Sequence, residues 1–272
     1  MVEDDEQDLT RKQRREQARS KRKELEQAEA ASAVRRTRLT QLGIVVAIVV
    51  VIVVAVVIAT GGGAKKGLAK GTEVAKVSKE VSSLVGGIAQ AGNTLGDPKA
   101  PVTLQYFGDL ECPICRDFTL GALQSLIPTY VRTGKLKIEY RSLETATKEP
   151  ETFKTQQLAA LAAGKQQKMW YFIELFYRQQ GEENTEYVNE SYLQKLAQQV
   201  PGLNLTAWTA ARSDPELASS ITTDAANANA AGFSGTPSFL IGKTGGKMQK
   251  LEYSSLTDPS SFDSAIESAL KA

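Results

Sequence analysis

Leu42 to Thr60 is a run of 19 residues without a charge, and 13 of them are valine or isoleucine. As a helix it covers about 28 Å, close to the hydrocarbon thickness of a bilayer. In water so β-branched a run is a strong strand former and an aggregation hazard. In lipid the backbone must satisfy its own hydrogen bonds, so helix overrides propensity. A buried core helix is the competing reading, but soluble domains rarely hold such a run without a polar face. The sequence therefore predicts one transmembrane helix over 42–60. It separates a short charged tail, 1–41, from a long body.

Which side each part occupies is decided by length. The 20 residues before the run hold five basic groups, and so do the 20 after it. Long domains cross a membrane largely regardless of charge, while a short basic tail stays behind. The tail is expected to be cytoplasmic and the body extracytoplasmic. Val57-Ile58-Ala59 offers small residues for a cleavable signal peptide. Against it, the charged region is too long and the apolar run exceeds a signal core of about 7–15 residues. An uncleaved anchor is expected. The tail carries 11 Lys/Arg and 9 Asp/Glu, which suits a solvated, partly helical segment. A basic segment lying on anionic lipid is the second reading, weakened by the interleaved acids.

Composition removes several chemistries. The chain of 272 residues has no histidine and two cysteines. Ser-His-Asp and Cys-His sites are therefore absent, as is every His-containing zinc site. Two cysteines cannot make a four-thiolate metal site or a disulfide-rich framework. No metal and no cofactor are expected. Residues 96–272 carry 17 Lys/Arg against 20 Asp/Glu, so a nucleic-acid partner is not expected.

Residues 61–94 read as a linker or stalk. Gly61-Gly62-Gly63 ends the apolar run. Val74, Val77, Val81, Leu84, Val85 and Ile88 then recur at helical steps. Three readings stay open: a short stalk helix, a packing surface for a second copy, and a frayed spacer.

The chemistry lies beyond. Residues 102–107 read as a buried strand, Gly108 to Glu111 as a turn, and 116–133 as a helix. Residues 135–143 read as a second strand. Cys112-Pro113-Ile114-Cys115 thus sits where a strand hands over to a helix. A helix N-terminus offers free N–H groups and partial positive charge, which stabilise a thiolate. Pro113 suits the first turn, where its missing N–H costs nothing. The spacing returns Cys115 to disulfide reach, so Cys112 is the expected nucleophile and Cys115 the resolving thiol. A purely structural disulfide over so short a loop stabilises weakly. Thr236-Pro237 precedes a short apolar strand, which alone is weak evidence.

From about Leu95 onward the chain resembles the DsbA-like thiol–disulfide oxidoreductases, especially their single-span, membrane-anchored members. The matching stretches are Leu95 to Pro98, Ala100 to Val102, Phe107-Gly108-Asp109 running into Cys112–Cys115, Lys165 to Gln180, and Gly232 to Gly242. The resemblance implies an α/β, thioredoxin-like fold over 95–272 with an inserted helical subdomain at about 149–216. It implies Cys112 and Cys115 as the redox pair, with Pro237 as a cis-proline facing them. Thr236, Pro113 and Ile114 would contact substrate, with Thr236 offering backbone hydrogen bonds. Reduced or misoxidised exported proteins would be the substrates, and a membrane redox partner would recycle the enzyme. A reductase or isomerase using the same site, and a non-catalytic anchored binding protein, are the alternatives.

Two departures from the resemblance matter. Related proteins often carry a strand acid where Gln105 stands; Asp109 or Glu111 could substitute, but both are expected to be exposed turn carboxylates. The dipeptide Pro113-Ile114 lacks a histidine, so Cys112 is expected to depend on the helix terminus, with a less extreme potential. Trp170, Tyr171, Phe172 and Phe176 lie at helical spacing with Leu158, Leu161 and Ile173, which favours core over a peptide groove.

Overall fold

The computed structural model describes residues 67–271. The tail and the expected span over 42–60 lie outside these residues. Among the described residues, no helix is long and apolar enough to cross a membrane.

The elements in chain order are α1 (Thr72–Val85), β1 (Gln90–Ala91), β2 (Thr94–Leu95), β3 (Val102–Gly108), α2 (Pro113–Leu120), α3 (Ala122–Leu126) and a π-helical turn (Ile127–Val131). They continue with β4 (Leu136–Ser142), α4 (Pro150–Gly164), α5 (Met169–Arg178), α6 (Glu190–Ala197), α7 (Leu205–Ala211), α8 (Pro215–Ala230), β5 (Ser238–Lys243), β6 (Gln249–Lys250) and α9 (Ser260–Lys271). The sheet order is β1-β2-β4-β3-β5-β6. β3 runs parallel to β4 and antiparallel to β5. This is a thioredoxin-like α/β fold, and helices α4 to α7 form the insertion.

The central strand explains itself. β3 is buried at every position except the half-buried Gln105, because helices cover both sheet faces. One face carries Tyr106, whose ring lies 4.9 Å from Phe118 of α2. Phe118 lies 4.6 Å from Phe239 and 5.1 Å from Phe262, so one aromatic cluster joins α2, β5 and α9. The other face carries Phe107, 5.3 Å from Phe233.

The expected long helix over 116–133 differs in two ways. It starts earlier, because Cys112 adopts an extended N-cap conformation and Pro113 occupies the first turn. It also breaks at Gly121. A side chain there would meet Asp117 O at 2.6 Å and Thr257 Cα at 2.7 Å. The bare backbone lets Ala122 N–H donate instead to Leu256 O at 2.9 Å.

Residues 61–94 are not a free connector over their described part. Val81 and Val85 of α1 are fully buried in the domain core. Arg132 caps α1 by donating to the carbonyls of Ser83, Leu84 and Gly86 at 3.3, 2.6 and 3.0 Å. The apolar period seen in the sequence is thus covered by the same chain, and β1 and β2 add two short strands to the sheet.

Trp170, Phe172 and Phe176 are fully buried, as helical spacing implies. Trp170 also donates through Nε1 to Asn93 O at 3.0 Å, tying the insertion to the β1–β2 hairpin. Trp170→Ala is expected to lower unfolding free energy by about 3–5 kcal/mol in denaturant titration. Helices α6 and α7 each open on an asparagine. Asn189 and Asn204 are N-caps that accept from Tyr192 N and Ala207 N, each at 3.0 Å.

Candidate active site

β3 ends at Gly108, and the turn that follows delivers Cys112 to the start of α2. Cys112 Sγ accepts from Cys115 N–H at 3.3 Å, so the thiol itself caps the helix. Across the gap Thr236 presents its carbonyl to Cys112 Sγ at 3.5 Å. The Thr236–Pro237 peptide is cis. Tyr253 supports this loop by donating to Pro237 O at 3.2 Å. Both cysteines are free thiols. Cys112 is 4% exposed and Cys115 fully buried, while Ile114 between them is 47% exposed. The six residues singled out in the sequence, Cys112, Pro113, Ile114, Cys115, Thr236 and Pro237, therefore come together.

The two thiols differ electrostatically. The Cys112 thiol falls to about 7, led by the hydrogen bond from Cys115. Thr236 and the N–H groups of Cys115 and Ile114 add to this, and burial opposes it. The helix terminus therefore contributes without being the leading cause expected from sequence. Burial pushes the Cys115 thiol well up. One sulfur is thus poised as a thiolate near neutrality and the other is held protonated.

Three placements correct the expectations. Gln105 does not face the cysteines: its side chain bonds Glu139 Oε2 at 3.1 Å on the opposite face. The strand residue beside Cys115 is Tyr106, whose hydroxyl donates to Tyr177 OH at 3.1 Å and lies 3.4 Å from Cys115 O. Tyr177 donates onward to Asp109 O at 3.0 Å. Burial holds Tyr106, Tyr140 and Tyr177 as neutral phenols.

The other two corrections concern the turn acids. Asp109 is fully buried and Glu111 is 2% exposed. Asp109 Oδ2 accepts the backbone N–H groups of Thr145, Ala146 and Thr147 at 3.1, 2.9 and 2.9 Å. Its Oδ1 accepts from Glu111 N, Thr147 Oγ1 and Gln156 Nε2. Burial, opposed by Thr147, raises the Glu111 carboxyl above its ordinary value. Gln180 completes the floor by donating to Leu110 O and Cys112 O at 2.8 and 3.1 Å.

The sequence that builds this site matches a known family model. Residues 89–263 match the thioredoxin model Thioredoxin_4. The chain belongs to the thioredoxin family. A curated relative, probable disulfide bond formation protein D of Bacillus anthracis, is 26% identical over 155 residues, covering 54% of this chain and 68% of that protein. The fold also matches BdbD from Bacillus subtilis in its oxidised form, with TM-score 0.56 and 21% identity, over 68% of this chain and 100% of that one. Wolbachia pipientis α-DsbA1 matches with TM-score 0.53 and 20% identity, over 66% of this chain and 90% of that one. This thioredoxin-family chain is a thiol–disulfide oxidoreductase.

Proposed function

We propose that this oxidoreductase works as an extracytoplasmic oxidase, forming disulfides in exported proteins through a Cys112–Cys115 disulfide. The observation that carries the reading is the paired thiols, with Cys112 lowered to about 7 at a helix start and Cys115 buried. Stabilising the Cys112 thiolate stabilises the reduced enzyme, which makes its disulfide more oxidising.

A substrate thiolate attacks Cys112 Sγ, the Cys112–Cys115 bond breaks, and Cys115 leaves with the electron pair and takes a proton. A second substrate thiolate then attacks the substrate sulfur of the mixed disulfide. The substrate gains a disulfide, Cys112 leaves as the thiolate, and the enzyme carries two electrons. A membrane redox partner accepts these electrons and restores the enzyme disulfide.

Thr236 and Pro237 are positioned to receive an extended substrate segment beside Cys112, and exposed Ile114 with Pro113 offers it an apolar contact. The run over 42–60 anchors the enzyme in the bilayer with the domain outside. The relative named for disulfide bond formation supports the oxidising direction.

The test is the pH dependence of Cys112 alkylation in the reduced enzyme. A midpoint near pH 7 is expected. A midpoint above about 8, the ordinary thiol range, contradicts a catalytic Cys112.

A further inference from the structure

Thr145 lies in the loop between β4 and α4, exposed at the rim of the site. Its own backbone is fixed from below. The N–H groups of Thr145, Ala146 and Thr147 all donate to Asp109 Oδ2. Three consecutive amides on one buried carboxylate oxygen hold a loop far more firmly than a surface contact does.

From this fixed loop the Thr145 hydroxyl bonds the Thr236 hydroxyl. Thr236 is the residue whose carbonyl stands 3.5 Å from Cys112 Sγ. The same carboxylate also fixes the turn on the other side of the sulfur. Asp109 Oδ1 accepts Glu111 N–H at 3.1 Å, and the Asp109 carbonyl accepts Cys112 N–H at 3.1 Å. Two arms therefore leave Asp109. One runs through the turn to Cys112, and the other runs through Thr145 to Thr236. They meet at the sulfur.

We propose that Asp109 and Thr145 are positioning residues that hold Thr236 against the Cys112 sulfur. The inference rests on Cys112 being the reactive thiol and deepens that reading. A hydroxyl has one proton to give and two lone pairs to receive. The Thr236 side chain also hydrogen-bonds the Cys112 sulfur and helps to lower its thiol, so when Thr145 donates to the Thr236 oxygen the Thr236 proton remains available to that thiolate. Hydrogen bonds in such a chain reinforce one another. The titratable groups coupled to Cys112 are Cys115 of α2 and Tyr253 beside the Pro237 loop. Neither of these is altered by a substitution at Thr145.

The experiment reads the alkylation midpoint of Cys112 in the full-length enzyme and in Thr145→Val, Thr145→Ser and Asp109→Asn, with the denaturant midpoint measured alongside. Thr145→Val is expected to move the alkylation midpoint upward by about half a unit or more, roughly a threefold loss of thiolate near pH 6. Its denaturant midpoint should stay unchanged, because the side chain is exposed. Thr145→Ser keeps the hydroxyl and should restore the wild-type midpoint. Asp109→Asn should move the alkylation midpoint in the same direction while also lowering stability. A Thr145→Val midpoint equal to wild type overturns the inference. An ordinary midpoint in the wild type would instead overturn the reading of Cys112 as the reactive thiol, so the two failures are distinguishable.

Discussion

Cys115→Ala should convert the enzyme into a trap that accumulates a mixed disulfide with its substrates, whereas Cys112→Ala should abolish thiol exchange altogether. The asymmetry follows from access and protonation. Cys112 is the sulfur at the helix start, lowered to about 7, and it faces Thr236 across the site. Cys115 is fully buried behind it, among Tyr106, Tyr140 and Tyr177. Only Cys112 has a route to a bulky protein thiol. Without Cys115, nothing inside the enzyme releases the bond. Non-reducing gel electrophoresis of the Cys115→Ala enzyme, mixed with a disulfide-bonded substrate protein, should show an adduct that thiol reductant removes, because Cys112 attacks one substrate sulfur and the other leaves as a thiol. The Cys112→Ala enzyme should show none. A rate loss of at least about a thousandfold is expected for Cys112→Ala, since removing the nucleophile of a covalent mechanism commonly does that.

Reduction should stabilise the folded protein increasingly with pH between about 7 and 9. The Cys112 thiol is lowered from the ordinary 9.0 to about 7 on folding. Below pH 7 the folded and unfolded chains both hold the proton, and the group contributes nothing. Above pH 7 the folded chain has lost it while the unfolded chain still binds it, so stability rises with pH. Two units correspond to about 2–3 kcal/mol, gained by about pH 9. Cys115 has the opposite sign: its raised value makes it a loss above the ordinary thiol range, which closes the window. Glu111 and Glu174 are also raised by burial. Taking the oxidised protein as reference cancels them, because their surroundings do not include the sulfur chemistry. Denaturant unfolding of both redox forms at pH 6, 7, 8 and 9 measures the difference. A difference that stays flat across that range contradicts the lowered thiol.

The same thiolate fixes the slope of the reduction potential against pH. Below about 7 two electrons travel with two protons, and above it with one. The slope should fall from about 59 to about 30 mV per pH unit, with the break near pH 7. Glutathione equilibration at several pH values reads the break directly.

Much of this site was legible in the sequence, because its chemistry is local. A strand, a four-residue turn, two cysteines separated by two residues and a proline in the first helical turn are all contiguous. The partner segment at Thr236-Pro237 lies more than a hundred residues away, and only the family resemblance joined it to the cysteines. The support beneath was not legible. Gly108 to Glu111 has the composition of an exposed turn, yet Asp109 and Glu111 are buried by the 145–147 loop and by Gln156 of α4. No local pattern announces a cover that arrives from another element. Gln105 and Tyr106 illustrate a second limit. Alternation along β3 puts neighbouring residues on opposite faces, but it does not say which face receives α2. The crossover decides that, and it gives Cys115 a tyrosine neighbour. Helix α1 shows a third. Its apolar period was visible, but the surface it packs against belongs to the domain core and to Arg132.

The equilibrium reduction potential of the Cys112–Cys115 pair, measured in glutathione buffers at pH 7 alongside refolding of a reduced substrate protein, tests the oxidase reading most directly. The account predicts a potential less negative than about −230 mV, with catalysed disulfide formation in the substrate. A potential at or below about −270 mV, with no oxidative refolding, would contradict it and assign the same site to a reductase.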